Sequence, residues 1–196
     1  MKYTILFVLS SAAALYAGPP LICHPGDIGN AKSLPWKVQS NWNGADPHYD
    51  VRRLVGDTLE ILTPSAPLAV RMETLRRAAI YTAKNDTLAE TLASRLVARI
   101  ADSEAAGKPD PNAWFDAGYF VEGIRQLGFI YRYSMLSPSE KAEWKVRGDS
   151  PGLDGKPWID HAIRLGGKGM EVALAKIDEF RQADLKRSNA LVSSAK

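Results

Sequence analysis

The sequence predicts an all-α protein, a single-domain irregular bundle of five or six helices with an extended N-terminal arm. Two observations favour this class. From residue 47 onward, apolar residues recur at spacings of three and four, the period of one helix face, and no stretch alternates apolar and polar residues long enough to indicate a strand. In addition, several segments begin with the residues that cap helix N-termini, most clearly Ser137-Pro138-Ser139-Glu140.

Residues 1–17 have the pattern of a secretory signal peptide. Lys2 supplies a positive start, Tyr3 to Leu15 form an uncharged and mostly apolar run, and Ala17 ends a short cleavage segment. The run is too short to cross a bilayer of about 30 Å as a helix, and no later segment approaches the roughly twenty apolar residues that a span needs. We therefore expect a secreted or periplasmic protein, with no stable membrane insertion after the signal is removed.

Composition limits the remaining possibilities. The chain has 196 residues and a formal charge of +3, so the charge is too balanced for a general nucleic-acid binder. Cys23 is the only cysteine, and an intramolecular disulfide is therefore excluded. We divide the chain into a signal peptide (1–17), an extended arm (18–46), a helical domain (47–186) and a flexible tail (187–196).

The arm, residues 18–46, is rich in proline and glycine and has no sustained periodicity, which is typical of irregular structure. It nevertheless carries more large apolar side chains than a disordered segment would. These side chains are Leu21, Ile22, Ile28, Leu34, Trp36, Val38 and Trp42. We expect the arm to lie across the helical body and to bury several of them.

The first three helices are predicted from caps and apolar faces. The first follows Asp46-Pro47 and stops at Thr63-Pro64, and the second starts at Ser65 with its arginines directed away from the apolar face. A capping box of Thr87 and Glu90 starts the third helix. Because the turn between them is short, we expect the second and third helices to pack as an antiparallel hairpin.

A fourth helix is predicted over roughly residues 111–136, and it is so nearly apolar all round that we expect it to be central. A short helix follows to about Val146, and then a loop to Pro157. The apolar spacing beyond Pro157 continues through Gly166–Gly169. This continuity predicts one long final helix, with a break at the glycines as the alternative.

One side of the predicted helix 111–136 combines aromatic rings with polar groups, as in a groove that binds a peptide, glycan or flat ligand. The candidate ligand-binding residues are Trp114, Tyr119, Arg125, Phe129 and Arg132. The same rings would serve equally well in core packing. We favour core packing, because exposing so many rings would promote aggregation.

Cys23 and His24 are the candidate metal ligands, since thiolate and imidazole bind zinc or copper. A complete site would need a remote histidine, His48 or His161, and a c-type haem would need a second cysteine. Cys23 could also serve as a catalytic nucleophile, but no complete catalytic motif accompanies it. No cofactor can be assigned from these residues.

The favoured interpretation is an exported helical protein without evident catalytic apparatus, a binding module for another protein or a small molecule. The alternative is a metal- or haem-binding protein, or an enzyme, that uses Cys23 and His24 with a remote histidine. A purely structural role in the cell envelope is a third possibility.

Overall fold

The computed structural model describes residues 18–37, 42, 44–133, 136–146 and 154–194, so the predicted signal peptide lies outside the described residues. The predicted all-α class is confirmed. In the described part of the chain there are seven α-helices: α1 Leu54–Ile61, α2 Leu68–Thr82, α3 Asp86–Ala105, α4 Pro111–Arg132, α5 Pro138–Glu143, α6 Lys156–Arg164 and α7 Glu171–Ser194. Across these ranges, no helix is both long and apolar enough to cross a membrane.

Helix α4 is the centre of the bundle. It contacts α2, α3 and α6, and most of its residues from Ala113 to Ile130 are buried, as its apolar circumference predicts. Asp110 caps its first turn by accepting a hydrogen bond from the Asn112 amide. The helix ends at Arg132, four residues before the predicted end. Because α4 fills the middle, α2 and α3 contact it more extensively than they contact each other, and the predicted hairpin is a minor interface.

Several helix starts differ from the prediction. The first helical turn is a 3-10 turn over Val51–Arg53 capped by Asp50, not by Asp46. Helix α2 begins at Leu68, three residues after Ser65. Helix α3 is capped by the Asn85 side chain, which accepts from the Leu88 amide.

Helix α5 has the predicted capping box, in which Ser137 and Glu140 each accept a hydrogen bond from the other's backbone amide. The helix is shorter than predicted. It ends at Glu143, and the chain continues extended at the buried Trp144. The amides of Lys145 and the buried Val146 then donate to the carbonyl of Ala83, the residue that follows α2.

The prediction of one continuous final helix is wrong, and its alternative, a break at the glycines, is confirmed, because the chain breaks between α6 and α7. Gly166 and Gly169 have φ of 93° and 77°, a left-handed conformation that is strained for other residues. The apolar spacing nevertheless survives the break, since Ile159 and Ile177 are both fully buried. Helix α7 continues to Ser194, so most of the predicted flexible tail, residues 187–196, is helical.

The arm lies across the helical body as predicted. Leu21, Ile22 and Leu34 are buried in the core, and Trp36 and Trp42 pack against it. The predicted contact of Val38 lies outside the described residues. A single antiparallel bridge joins Trp36 to Ala45 within the described arm.

Two arginines of α2, Arg71 and Arg76, are buried, which corrects the prediction that this helix directs its arginines away from the core. The first of them, Arg71, pairs with the buried Asp116 of α4 at 2.6 Å. Arg99 of α3 approaches the same carboxylate at 3.2 Å and donates to the Leu62 carbonyl. Buried charges need partners of this kind, and here the pairs tie the end of α1 to α4.

Candidate functional site

A cleft of about 440 Å³ lies between the arm and α2. One wall is the arm loop 25–31, and the other consists of α2 side chains. We call it the arm cleft, and its lining residues are Pro25, Gly26, Asp27, Ile28, Gly29, Asn30, Ala31, Trp36, Glu73 and Arg77. None of these residues was among the predicted site residues.

The α2 wall is organised by the buried carboxylate of Glu73. Because Glu73, Arg76 and Arg77 are three and four residues apart, they lie on one face of the helix. Glu73 Oε1 accepts from Arg76 Nη2 at 2.8 Å and from Arg77 Nε at 2.7 Å. Its Oε2 accepts from Arg76 Nε at 2.7 Å and from the backbone amide of Gly26 at 2.9 Å. One carboxylate therefore fixes both walls of the cleft.

The two arginines also hold the arm through its backbone. Arg76 Nη1 donates to the carbonyls of Ile22 at 3.0 Å and Trp42 at 3.1 Å. Arg77 Nη1 donates to the Leu34 carbonyl at 2.6 Å. An irregular segment makes few backbone hydrogen bonds of its own, so these side chains satisfy carbonyls that burial would otherwise leave unpaired.

Trp36 closes the cleft beside these charges. The guanidinium carbon of Arg76 lies 4.7 Å from the centre of its ring system, and that of Arg77 lies 5.6 Å away, both within cation–π range. The Tyr81 ring meets the indole edge-on at 6.0 Å. The indole is thereby held in a fixed orientation.

Burial alone would raise the pKa of Glu73, but the hydrogen bonds and charges of Arg76 and Arg77 and the Gly26 amide outweigh it. The pKa of Glu73 therefore lies below its ordinary value of 4.5. At neutral pH the carboxylate is ionised, and its contribution to stability is lost only as the pH falls below about 4.5.

The predicted ligand-binding residues of α4 do not form one site. Tyr119 and Phe129 are only 4% and 9% exposed, with Tyr119 stacked on Phe115 and Phe129 packed against Phe180, so their rings belong to the core. Trp114 is half-buried; its indole nitrogen donates to Glu104 at 3.0 Å, and its ring lies 4.4 Å from that of His161.

The two polar members, Arg125 and Arg132, are exposed, and they pair with Glu122 at 3.8 Å and Asp184 at 3.7 Å. At a rise of 1.5 Å per residue, Trp114 and Arg132 are separated by roughly 27 Å along α4. The five residues therefore cannot surround one small ligand.

Among the described residues, no third ligand lies beside Cys23 and His24. Throughout the described ranges, no three His, Cys, Asp or Glu side chains are close enough to hold a metal ion together. His24 is exposed, whereas Cys23 is half-buried against the core. Burial raises the pKa of the Cys23 thiol to about 11, with the charge of Arg76 opposing. A protonated thiol is a poor metal ligand and a poor nucleophile.

Cys23 should therefore react slowly with thiol reagents in the folded protein. Because its pKa rises from 9 to about 11, the thiolate fraction at pH 8 falls roughly a hundredfold. We expect the native protein to react with Ellman's reagent about that much more slowly than the urea-unfolded chain, with Cys23→Ser as the blank. Equal rates would show a reactive thiol and would restore it as a candidate nucleophile.

Sequence reasoning missed the Glu73, Arg76 and Arg77 cluster because it assigned arginine to solvent. The available signal was the spacing itself, one acid followed by two arginines on a single helix face beside a long irregular segment. Such a segment has carbonyls that need donors. What the sequence does not show is which helix provides them.

Comparisons with known proteins find no relative of this chain. No protein family matches it, and searches of curated proteins and of solved structures give no match. Its function must therefore be argued from the site and not from analogy of fold.

Proposed function

We propose that this chain is an exported, non-catalytic helical protein that binds a small-molecule ligand in the arm cleft. One observation carries the proposal: the cleft has two walls from distant parts of the sequence, and Glu73 fixes both through Arg77 and the Gly26 amide. Preorganised walls reduce the entropic cost of binding a ligand. The export part of the proposal rests on the leader-like residues 1–17.

The size of the cleft favours a small molecule over a protein partner. Its volume of about 440 Å³ lies within the range of roughly 300–1,000 Å³ that is typical of small-molecule sites. A protein interface would instead bury about 800 Å² on each partner. The concave lining, which combines an aromatic ring with polar groups, also fits a small molecule better than a protein partner.

The chemistry of the lining favours binding over catalysis. Among the described residues that line it, Asp27 and Glu73 are the only side chains of the acid–base type, and neither Cys23 nor His24 is one of them. Glu73 accepts four hydrogen bonds and has a lowered pKa, so it is poorly suited to proton transfer at neutral pH.

The proposal is tested by titrating small molecules into the protein and by blocking the cleft with a larger side chain. In the mature protein, amide and indole NMR signals are followed during titration with benzoate, benzamide, tryptophan and N-acetylglucosamine. We expect at least one compound to shift signals of residues 25–31 and Trp36. The shift should persist in Ala98→Phe, a change at an exposed site on α3, and disappear in Ala31→Phe. No shift with any compound, or an unchanged response in Ala31→Phe, would contradict a ligand site in the cleft.

The export step has a separate test. N-terminal sequencing of the protein from the culture medium or periplasm should begin at Gly18. An intact Met1 on the cytosolic protein would contradict export without bearing on the cleft.

A further inference from the structure

The geometry points to a small planar monocarboxylate, such as an aromatic carboxylic acid, as the ligand class of the arm cleft. This inference rests on the proposed function and deepens it. It depends on three features of the cleft: a guanidinium with free donors, a Glu73 carboxylate whose charge and acceptor positions are already taken up by arginines and the arm, and an oriented indole.

Arg77 supplies the free donors. Its Nε is engaged by Glu73 at 2.7 Å and its Nη1 by the Leu34 carbonyl at 2.6 Å. Its Nη2 donates to no residue in the part of the chain that the structure describes, although the side chain is only 16% exposed. A guanidinium carries five N–H donors in a fixed plane, so two anchored nitrogens leave the Nη2 donors aimed in a set direction. Carboxylate oxygens are their natural acceptors.

The charge at the base of the cleft favours an anion. Glu73 lies between two guanidinium groups, Arg77 in the lining and Arg76 behind it, so its negative charge is more than balanced by these two arginines. All four hydrogen-bonding positions on Glu73 are occupied, and it offers no further acceptor to a cationic ligand. On the other wall, Asp27 is exposed to solvent, which screens its charge. A carboxylate beside Arg77 is therefore favoured over an ammonium group.

The number of cations limits the ligand to one carboxylate. Among the described lining residues Arg77 is the only cation, and the opposite wall carries Asp27, Ile28 and Asn30 between proline, glycine and alanine residues. A second carboxylate on the ligand would meet Asp27, apolar surface or the neutral Asn30 amide, but no second cation. The cleft therefore favours a monoanion over a dicarboxylate.

Trp36 favours a ligand with a planar body. The indole lines the cleft and is held by the two guanidinium groups and by Tyr81. A flat ring gains more contact area against a fixed indole than a branched or globular group does, and aromatic pairs add about 0.5–1.5 kcal/mol beyond burial. The favoured ligand therefore joins one carboxylate to a ring.

The test compares benzoate with benzamide, which has the same shape without the charge, by calorimetry and NMR on the mature protein. We expect benzoate to bind at least tenfold more tightly than benzamide and to shift signals of residues 26–31 and the Trp36 indole. Arg77→Gln should weaken benzoate binding at least tenfold. The matched control is Arg95→Gln, which changes an exposed arginine of α3.

Arg77 also donates to the Leu34 carbonyl, so Arg77→Gln could affect folding as well as binding. The thermal midpoint of the variant checks its folding. The NMR shifts of the wild-type protein provide a second measurement that does not depend on the variant. Equal affinities for benzoate and benzamide in the cleft would overturn the carboxylate class and leave the proposed binding function standing. Benzoate shifts located elsewhere on the protein, or no benzoate binding at millimolar concentration, would also overturn it. Failure of every compound in the wider panel would instead contradict the proposed function itself.

Discussion

Gly118→Ala should lower the free energy of unfolding by about 3 kcal/mol, because it overpacks the close contact between α4 and the start of α6. A Cβ at Gly118 would lie 2.6 Å from the Gly155 carbonyl oxygen and 2.8 Å from Ile159 Cγ1. The first of these neighbours is backbone, so relief requires the start of α6 to move away from α4. Urea denaturation followed by circular dichroism measures the loss.

The matched control is Gly123→Ala, a second buried glycine of the same helix. Its Cβ would lie 3.4 Å from that of Ala79 and 3.7 Å from Ile22 Cδ1, which are ordinary contacts. Alanine is favoured over glycine inside a helix by about 1 kcal/mol, so this variant should be as stable as the wild type or more stable. Equal losses in the two variants would show that general loss of glycine, and not the approach of α6, sets the cost.

The parts of the fold that were predictable depend on local chemistry. The capping box at Ser137 and Glu140 is a pattern within four residues, and it appears as predicted. The central position of α4 follows from its own composition, because a helix with apolar residues all round needs neighbours on several sides. Both predictions needed no information about distant segments.

The break before α7 shows why local reasoning fails elsewhere. The apolar spacing from Ile159 to Ile177 is continuous because both helices face the same core, so periodicity alone could not reveal a change of direction between them. What decides the break is the backbone conformation of Gly166 and Gly169. Glycine permits that conformation without requiring it.

The candidate site could not be predicted because its two walls are far apart in sequence. Gly26 and Glu73 meet only after the arm has folded across α2. Arginine is also mostly exposed in proteins, so Arg76 on an amphipathic helix is naturally assigned to solvent. Its burial becomes favourable only because Glu73 and two arm carbonyls surround it.

Glu73→Gln should cost about 3–5 kcal/mol of stability, since it leaves the buried charge of Arg76 without its counter-ion. The Glu73 and Arg76 side chains are each 1% exposed, so solvent cannot replace the lost partner. The substitution nearly preserves shape, and the effect therefore reports charge and not a cavity. We expect a lower midpoint in urea denaturation and faster amide hydrogen exchange across residues 18–37. Glu90→Gln, at an exposed position on α3, should change neither measurement.

A double variant separates the role of the charge from that of the arm contacts. In Glu73→Leu/Arg76→Met both buried charges are absent, and replacing a buried pair with apolar residues is often close to neutral, so much of the stability should return. The arm should nevertheless remain poorly protected from exchange, because Ile22 and Trp42 have lost the donor that Arg76 provides. If Glu73→Gln were as stable as the wild type, or if arm protection returned together with stability, the buried cluster would not be what holds the arm on α2.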